Sequence, residues 1–268
     1  MKLGVVIRNM GPASSRDLVT AAAQAADACP AIDDVWVVDH IAIPPDQSEG
    51  SGGRYLEPLA TLAYLAGVTC RVGLGSAVIV LPYRPALLTA KWIATIQELS
   101  GGRLILGVGV GWMDAEFRAL GVDRRRRGRI ADETLAFLDR CFASDVVETN
   151  GQPFLFLPRP ARPPIFVGGA PPHAFRRAIA HRAGWLPIGG PPEQLREPIA
   201  RLRAEAAAAG VPPPEVTALG GLPLGDKTAS RDMLAAYDDI GVTRLIHGER
   251  YATLDDVRRT IDGIAAVR

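Results

Sequence analysis

The chain has 268 residues, 48% hydrophobic and 22% charged, with a formal net charge of +1. That composition provides material for a large core, and the near-neutral balance argues against nucleic acid as the main partner. Three cysteines (Cys29, Cys70, Cys141), odd in number and far apart, predict reduced thiols in a cytoplasmic protein and no disulfide framework. No apolar run approaches a membrane span.

Met1-Lys2 leads straight into a predicted strand, Leu3 to Ile7, with no signal-peptide pattern. Helical spacing follows from about Ser15 to Ala28, with Ser14 or Ser15 as cap. Val35 to Val38 is the next strand, framed by Asp33-Asp34 and Asp39-His40. A Pro/Gly/Ser-rich loop, Ile43 to Gly53, is long enough to be a functional lid. Leu56 to Val68 predicts a helix, Val72 to Leu81 a strand, and Pro85 opens a helix that runs to Leu99. Ser100-Gly101-Gly102 stops it, and a fourth strand runs from Arg103 into Gly107-Val108-Gly109-Val110-Gly111, with Trp112 beyond. Ala131 to Phe142 is helical in pattern, and Val146 to Leu157 predicts a hairpin turning at Asn150-Gly151. Strand and helix then alternate: Ile165 to Val167, His173 to Ala183, Trp185 to Ile188, Glu193 to Ala209, Val216 to Leu219, Ser230 to Tyr237, Arg244 to Ile246 and Leu254 to Val267.

Such alternation demands parallel strands joined by helical crossovers. Eight units in this length favour a closed (β/α)₈ TIM barrel, one domain over 1–268, against an open doubly wound sheet. An open sheet usually carries GxGxxG after its first strand, and Arg8-Asn9-Met10-Gly11-Pro12 lacks it. In a barrel the active site lies at the carboxyl ends of the strands, so polar or glycine clusters that follow a strand are candidate site elements.

His40, at the end of the second strand, is the candidate acid-base group, and the bland alternative is a loop-capping histidine. Asp39 would orient its ring or accept a hydrogen bond from a heterocycle, and His247 would face the same mouth. Gly75, Ser76 and Ala77 predict either close approach of a ligand or a tight barrel interior. Gly109, Val110 and Gly111 leave backbone open to something flat or phosphorylated. Gly168, Gly169 and Ala170 precede a helix start that would cradle a phosphate, although Pro171 and Pro172 remove donors. The arginines from Arg124 to Arg129, Arg127 among them, are either a solvated face or the partner of an anion, because cations oppose the dipole at a helix start. Asn9 and Trp112 are candidate substrate contacts, and Trp112 is equally a core residue. Together these describe a pocket for a planar, phosphate-bearing cofactor beside one acid-base histidine.

Several segments resemble the bacterial-luciferase-like superfamily: Val35-Trp36-Val37-Val38-Asp39-His40, Tyr55-Leu56-Glu57-Pro58-Leu59, Gly73-Leu74-Gly75, Leu99-Ser100-Gly101-Gly102-Arg103, Gly107 to Trp112, Arg127-Gly128-Arg129, Asp132-Glu133, Ile165 to Gly169 and Gly184 to Pro187. The Asp39-His40 pair is most similar to the branch that uses the 5-deazaflavin coenzyme F-420. The resemblance implies a barrel that commonly dimerises, with a non-prolyl cis peptide within Gly75-Ser76-Ala77. It also implies ring and ribityl contacts at Asp39, Gly109, Val110 and Gly111, phosphate contacts at Gly168, Gly169 and Ala170, and proton transfer at His40. The implied activity is hydride exchange with a small organic substrate. The alternatives are a monooxygenase using flavin mononucleotide (FMN) supplied by a partner reductase, and a non-catalytic cofactor-binding barrel. Gln97, Ala183 and the Pro171-Pro172 pair depart from the family pattern.

Overall fold

Short β-branched runs separated by amphipathic segments fold here into strands with helical crossovers, over all of residues 1–268 of a computed structural model. In chain order these are β1 (Lys2–Val6), α1 (Arg16–Ala28), β2 (Asp34–Val37), α2 (Pro58–Val68), β3 (Gly73–Ser76), β4 (Ile79–Val80), α3 (Ala86–Leu99), β5 (Leu104–Gly109), α4 (Asp114–Ala119) and α5 (Arg127–Ala143). The hairpin β6 (Val146–Thr149) and β7 (Gln152–Leu155) follows. Then come β8 (Ile165–Gly168), α6 (His173–Ala180), β9 (Gly184–Leu186), α7 (Pro192–Ala208), β10 (Thr217–Gly220), α8 (Lys227–Asp239), β11 (Arg244–His247) and α9 (Leu254–Val267).

The strands hydrogen-bond in the order β10-β11-β1-β2-β3-β5-β8-β9, all in parallel. A parallel bridge between Trp185 and Val216, with the Trp185 N–H donating to the Glu215 carbonyl at 2.8 Å, joins the two ends. The fold is therefore an eight-stranded (β/α)₈ TIM barrel. The predicted third strand is split. β4 pairs with β5 on its own, and the cis peptide lies at Ala77–Val78, one bond beyond the triplet expected to hold it.

A core of 53 buried residues fills the space between strands and helices. Inside the barrel, Trp36, Ile105, Phe166, Leu186 and Ile246 pack together. Beneath them the Arg244 guanidinium pairs with Asp34 at 2.8 Å, and the Trp36 indole N–H donates to the same carboxylate. This plug closes the lumen and leaves the carboxyl ends of the strands as the open mouth. It also explains Gly75, since a Cβ there would run into the Trp36 indole.

Two segments differ from expectation. Asp114–Ala119 forms α4, which its short length hid, and α5 begins at Arg127, four residues earlier than its apolar periodicity shows. Gln97 has a local role: its carbonyl accepts from the Leu104 N–H and its amide donates to the Ala161 carbonyl, both at 3.1 Å.

Candidate active site

β2 delivers Val38, Asp39 and His40 to the barrel mouth. Asn9 fixes that exit: its amide nitrogen donates to the Val38 and Leu56 carbonyls at 2.8 and 2.9 Å, and its oxygen accepts from the Val38 N–H at 3.0 Å. Both amide hydrogens are used and the side chain is fully buried, so Asn9 is a brace and not a substrate contact.

Asp39 is equally committed. Its buried carboxylate accepts from the Val80 N–H at 2.8 Å and from both terminal nitrogens of Arg84 at 2.6 and 2.9 Å. Arg84 also meets Glu57 at 2.7 Å. Burial alone would loosen the Arg84 proton, but bonds to Asp39 and Glu57 outweigh it and raise the pKa. Asp39 touches the cavity from this fixed position, and it makes no bond to the His40 ring.

The ring's partner is Glu116, from α4. The Glu116 Oε2 lies 2.9 Å from His40 Nδ1 and accepts from the Tyr83 hydroxyl at 2.8 Å. Its Oε1 accepts from the backbone N–H groups of Ile41 and Ala42. Burial pushes this carboxyl up, yet hydrogen bonds from His40, Ile41, Ala42 and Tyr83 win and hold it at about 2. Burial, the bond to Glu116 and that residue's charge push the Tyr83 phenol well above its ordinary value. His40 packs between Tyr55 (centroids 5.0 Å apart) and the edge of Trp112 (6.0 Å). Its Nε2 has no protein partner and is not buried, on a ring that lines the cavity.

That cavity is a chamber of about 460 Å³ with largely apolar walls: Ala77 and Val78 on one side, Gly109, Val110 and Gly111 on another, Tyr55 and Trp112 at the mouth. Gly111 has a φ of +76°, where a side chain would be strained, and Gly109 makes room for the Val78 methyls. Gly75 and Ser76 are corrections. Trp36 occupies the space beside Gly75, and the buried Ser76 hydroxyl donates to the Gly107 carbonyl at 2.8 Å, so neither reaches the chamber.

Gly168 and Gly169 line the chamber and also a second cavity of about 490 Å³, with Val110 as the third shared residue. The Trp185 indole donates to the Gly169 carbonyl at 2.8 Å and fixes this turn. Ala170 and the start of α6, which has no side-chain cap, form one wall of the annex. Arg125, Arg127, Arg129, Arg176 and Arg177 form the rest, with Asp132 as the acid among them. Asp132 is taken by Arg176 and Arg177, Glu133 by Arg129 and Asp123 by Arg125. Arg127 has no acidic partner; its guanidinium donates only to the Arg124 carbonyl at 3.2 Å.

His247 turns away from the chamber. Its Nδ1 accepts from the Leu222 N–H at 3.0 Å and its Nε2 faces Glu249, with burial depressing its pKa. Sequence reasoning missed Glu116, Tyr83 and Arg84. A signal for Glu116 existed: Met113, Glu116, Phe117 and Leu120 have helical spacing, which places a carboxylate on an apolar stripe.

A family model described as luciferase-like monooxygenase matches residues 1–256. An uncharacterised protein of Mycobacterium tuberculosis (strain H37Rv) is 32% identical over 208 residues, 74% of this chain and 69% of that protein. The FMNH2-dependent dimethylsulfone monooxygenase of Pseudomonas fluorescens (strain Pf0-1) is 30% identical over 162 residues, 57% of this chain and 44% of its own length. A solved F420-dependent secondary alcohol dehydrogenase, in complex with an F420-acetone adduct, superposes with a TM-score of 0.79 at 14% identity, covering 100% of this chain and 99% of that one.

Proposed function

We propose that this chain, which belongs to the luciferase-like monooxygenase family, is an oxidoreductase that holds coenzyme F-420, an 8-hydroxy-5-deazaflavin, and acts on a small organic substrate. The family's members are oxidoreductases, which leaves the non-catalytic barrel without support.

One observation carries the choice of cofactor: an apolar chamber and a cationic annex meet at Val110, Gly168 and Gly169. A ligand that fills both has a flat uncharged head and an anionic arm. Ala77, Val78, Gly109, Val110 and Gly111 would hold the head, and Gly168, Gly169, Ala170, Arg127 and the start of α6 the arm. FMN ends at one phosphate. F-420 adds carboxylates beyond its phosphate, and an annex whose five arginines meet only three acids, with Arg127 unpaired, suits that longer anionic arm. When bound, the deazaflavin supplies hydride transfer at ring carbon five. The chain's own residues orient the head, let Tyr55 and Trp112 exclude water from the mouth, and hold a proton at His40 Nε2.

Parallel titrations of the purified protein with F-420 and FMN test this. F-420 is expected to bind at micromolar concentration and more tightly than FMN by roughly tenfold, about 1.4 kcal/mol. Added salt should weaken the F-420 complex more, because the arm is held by charge. Equal or tighter binding of FMN contradicts the reading. It would favour the second one, an FMN monooxygenase fed by a reductase, which the likeness to the Pseudomonas enzyme supports and oxygen consumption with reduced FMN would reveal. A homodimer and a cytoplasmic location belong to the same proposal.

A further inference from the structure

Glu116 is a buried carboxylate beside the chamber to which no arginine or lysine is paired; its side chain is 1% exposed and its ion-pair partner is His40. Asp39, the neighbouring acid, differs because Arg84 neutralises it. A carboxylate this deep without a cation is costly unless every lone pair is used. Here four donors reach it, and three are fixed: two backbone N–H groups on Oε1 and the Tyr83 hydroxyl on Oε2.

We propose that Glu116 is the positioning residue of this site: its ionised carboxylate fixes His40 as the Nδ1–H tautomer, turns the Nε2 lone pair into the chamber, and stabilises the imidazolium that forms there. Since Glu116 is ionised and only accepts, the fourth partner, Nδ1, has to donate. Nε2 then carries the lone pair. When Nε2 takes a proton from a substrate O–H or N–H, that bond breaks, an Nε2–H bond forms, and the new positive charge lies against the carboxylate that already holds Nδ1. The other polar groups packed about the ring are the Asp39 carboxylate, held by Arg84 and the Val80 N–H, the Tyr83 phenol, Tyr55 and the Trp112 indole. None of them bonds to Nδ1. Across the chain, Glu116 links α4, the helix after β5, to the loop after β2, so one side chain sets the chemistry of another 76 positions away.

The role in turnover rests on the oxidoreductase reading above, whereas the tautomer does not, and the test separates them. Nitrogen chemical shifts of isotope-labelled histidine, recorded without any cofactor, report which ring nitrogen of His40 carries the proton. In the wild type the neutral ring is expected to be protonated at Nδ1. In Glu116→Gln the Ile41 and Ala42 N–H groups still require an acceptor, so the amide oxygen takes the Oε1 place and the NH2 group faces the ring. His40 then has to accept at Nδ1, and its proton moves to Nε2. Tyr83→Phe leaves Glu116 ionised and is expected to keep the wild-type tautomer.

A wild-type ring protonated mainly at Nε2 overturns the proposal, as does a Glu116→Gln ring with unchanged tautomer. If Glu116→Gln does not fold, the wild-type spectrum decides alone. F-420 titrated into the same wild-type sample distinguishes the two claims: no binding with an Nδ1–H ring defeats the cofactor reading and leaves Glu116 in its role.

Discussion

His40→Ala is expected to lower turnover of any accepted substrate by roughly 10²–10⁴-fold, the usual contribution of a positioned acid or base, while F-420 affinity changes little. His40 is the cavity-lining side chain with a free proton-accepting atom: Asp39 is paired with Arg84, and the remaining walls are apolar groups, backbone and the mouth residues Tyr55 and Trp112. The substitution should fold, because Glu116 keeps the Ile41, Ala42 and Tyr83 donors when the ring is gone. Steady-state kinetics on the variant, paired with cofactor titration, checks both halves. Turnover within about twofold of wild type would remove the acid-base assignment, since a positioned acid or base contributes far more than that.

Arg84→Met is expected to destabilise the fold by about 3–5 kcal/mol, the range for removing one partner of a buried pair. The Asp39 side chain is fully buried and would keep only the Val80 N–H as donor. Glu57 would lose its cation at the same time, but it is partly exposed and contributes little. Equilibrium urea unfolding measures the loss. The double variant Asp39→Asn with Arg84→Met should recover part of it, because the uncompensated charge is gone. A loss below about 1 kcal/mol for Arg84→Met would show that water reaches Asp39, contrary to its burial.

How much of this could be read from residues alone depends on range. The alternation of strands and helices was legible because each period is local. So were Ser15, whose hydroxyl caps α1 by accepting from the Leu18 N–H, and the Asn150-Gly151 turn, where φ is +52° and +74°. Gly75 and Ser76 show where locality stops. A small residue makes room for a ligand or for a neighbouring side chain with the same local pattern, and Trp36, which decides it, belongs to another strand. Asp39 beside His40 suggested the wrong orienting carboxylate for the same reason: adjacent residues on an extended segment point to opposite sides, so Asp39 turns to Arg84 while His40 meets Glu116. Asn9 follows the first strand, where a substrate contact is expected, and only its partners Val38 and Leu56 show that its amide faces inward.

Diffraction from crystals grown with oxidised F-420 tests most directly whether chamber and annex serve one ligand. Density for the flat head is expected against Ala77, Val78 and Gly109 to Gly111, with His40 Nε2 facing its edge or the space above it, and density for the acidic arm is expected beside Gly169 and Arg127. A head lodged elsewhere, or an arm that leaves the annex empty and runs into solvent, would contradict it.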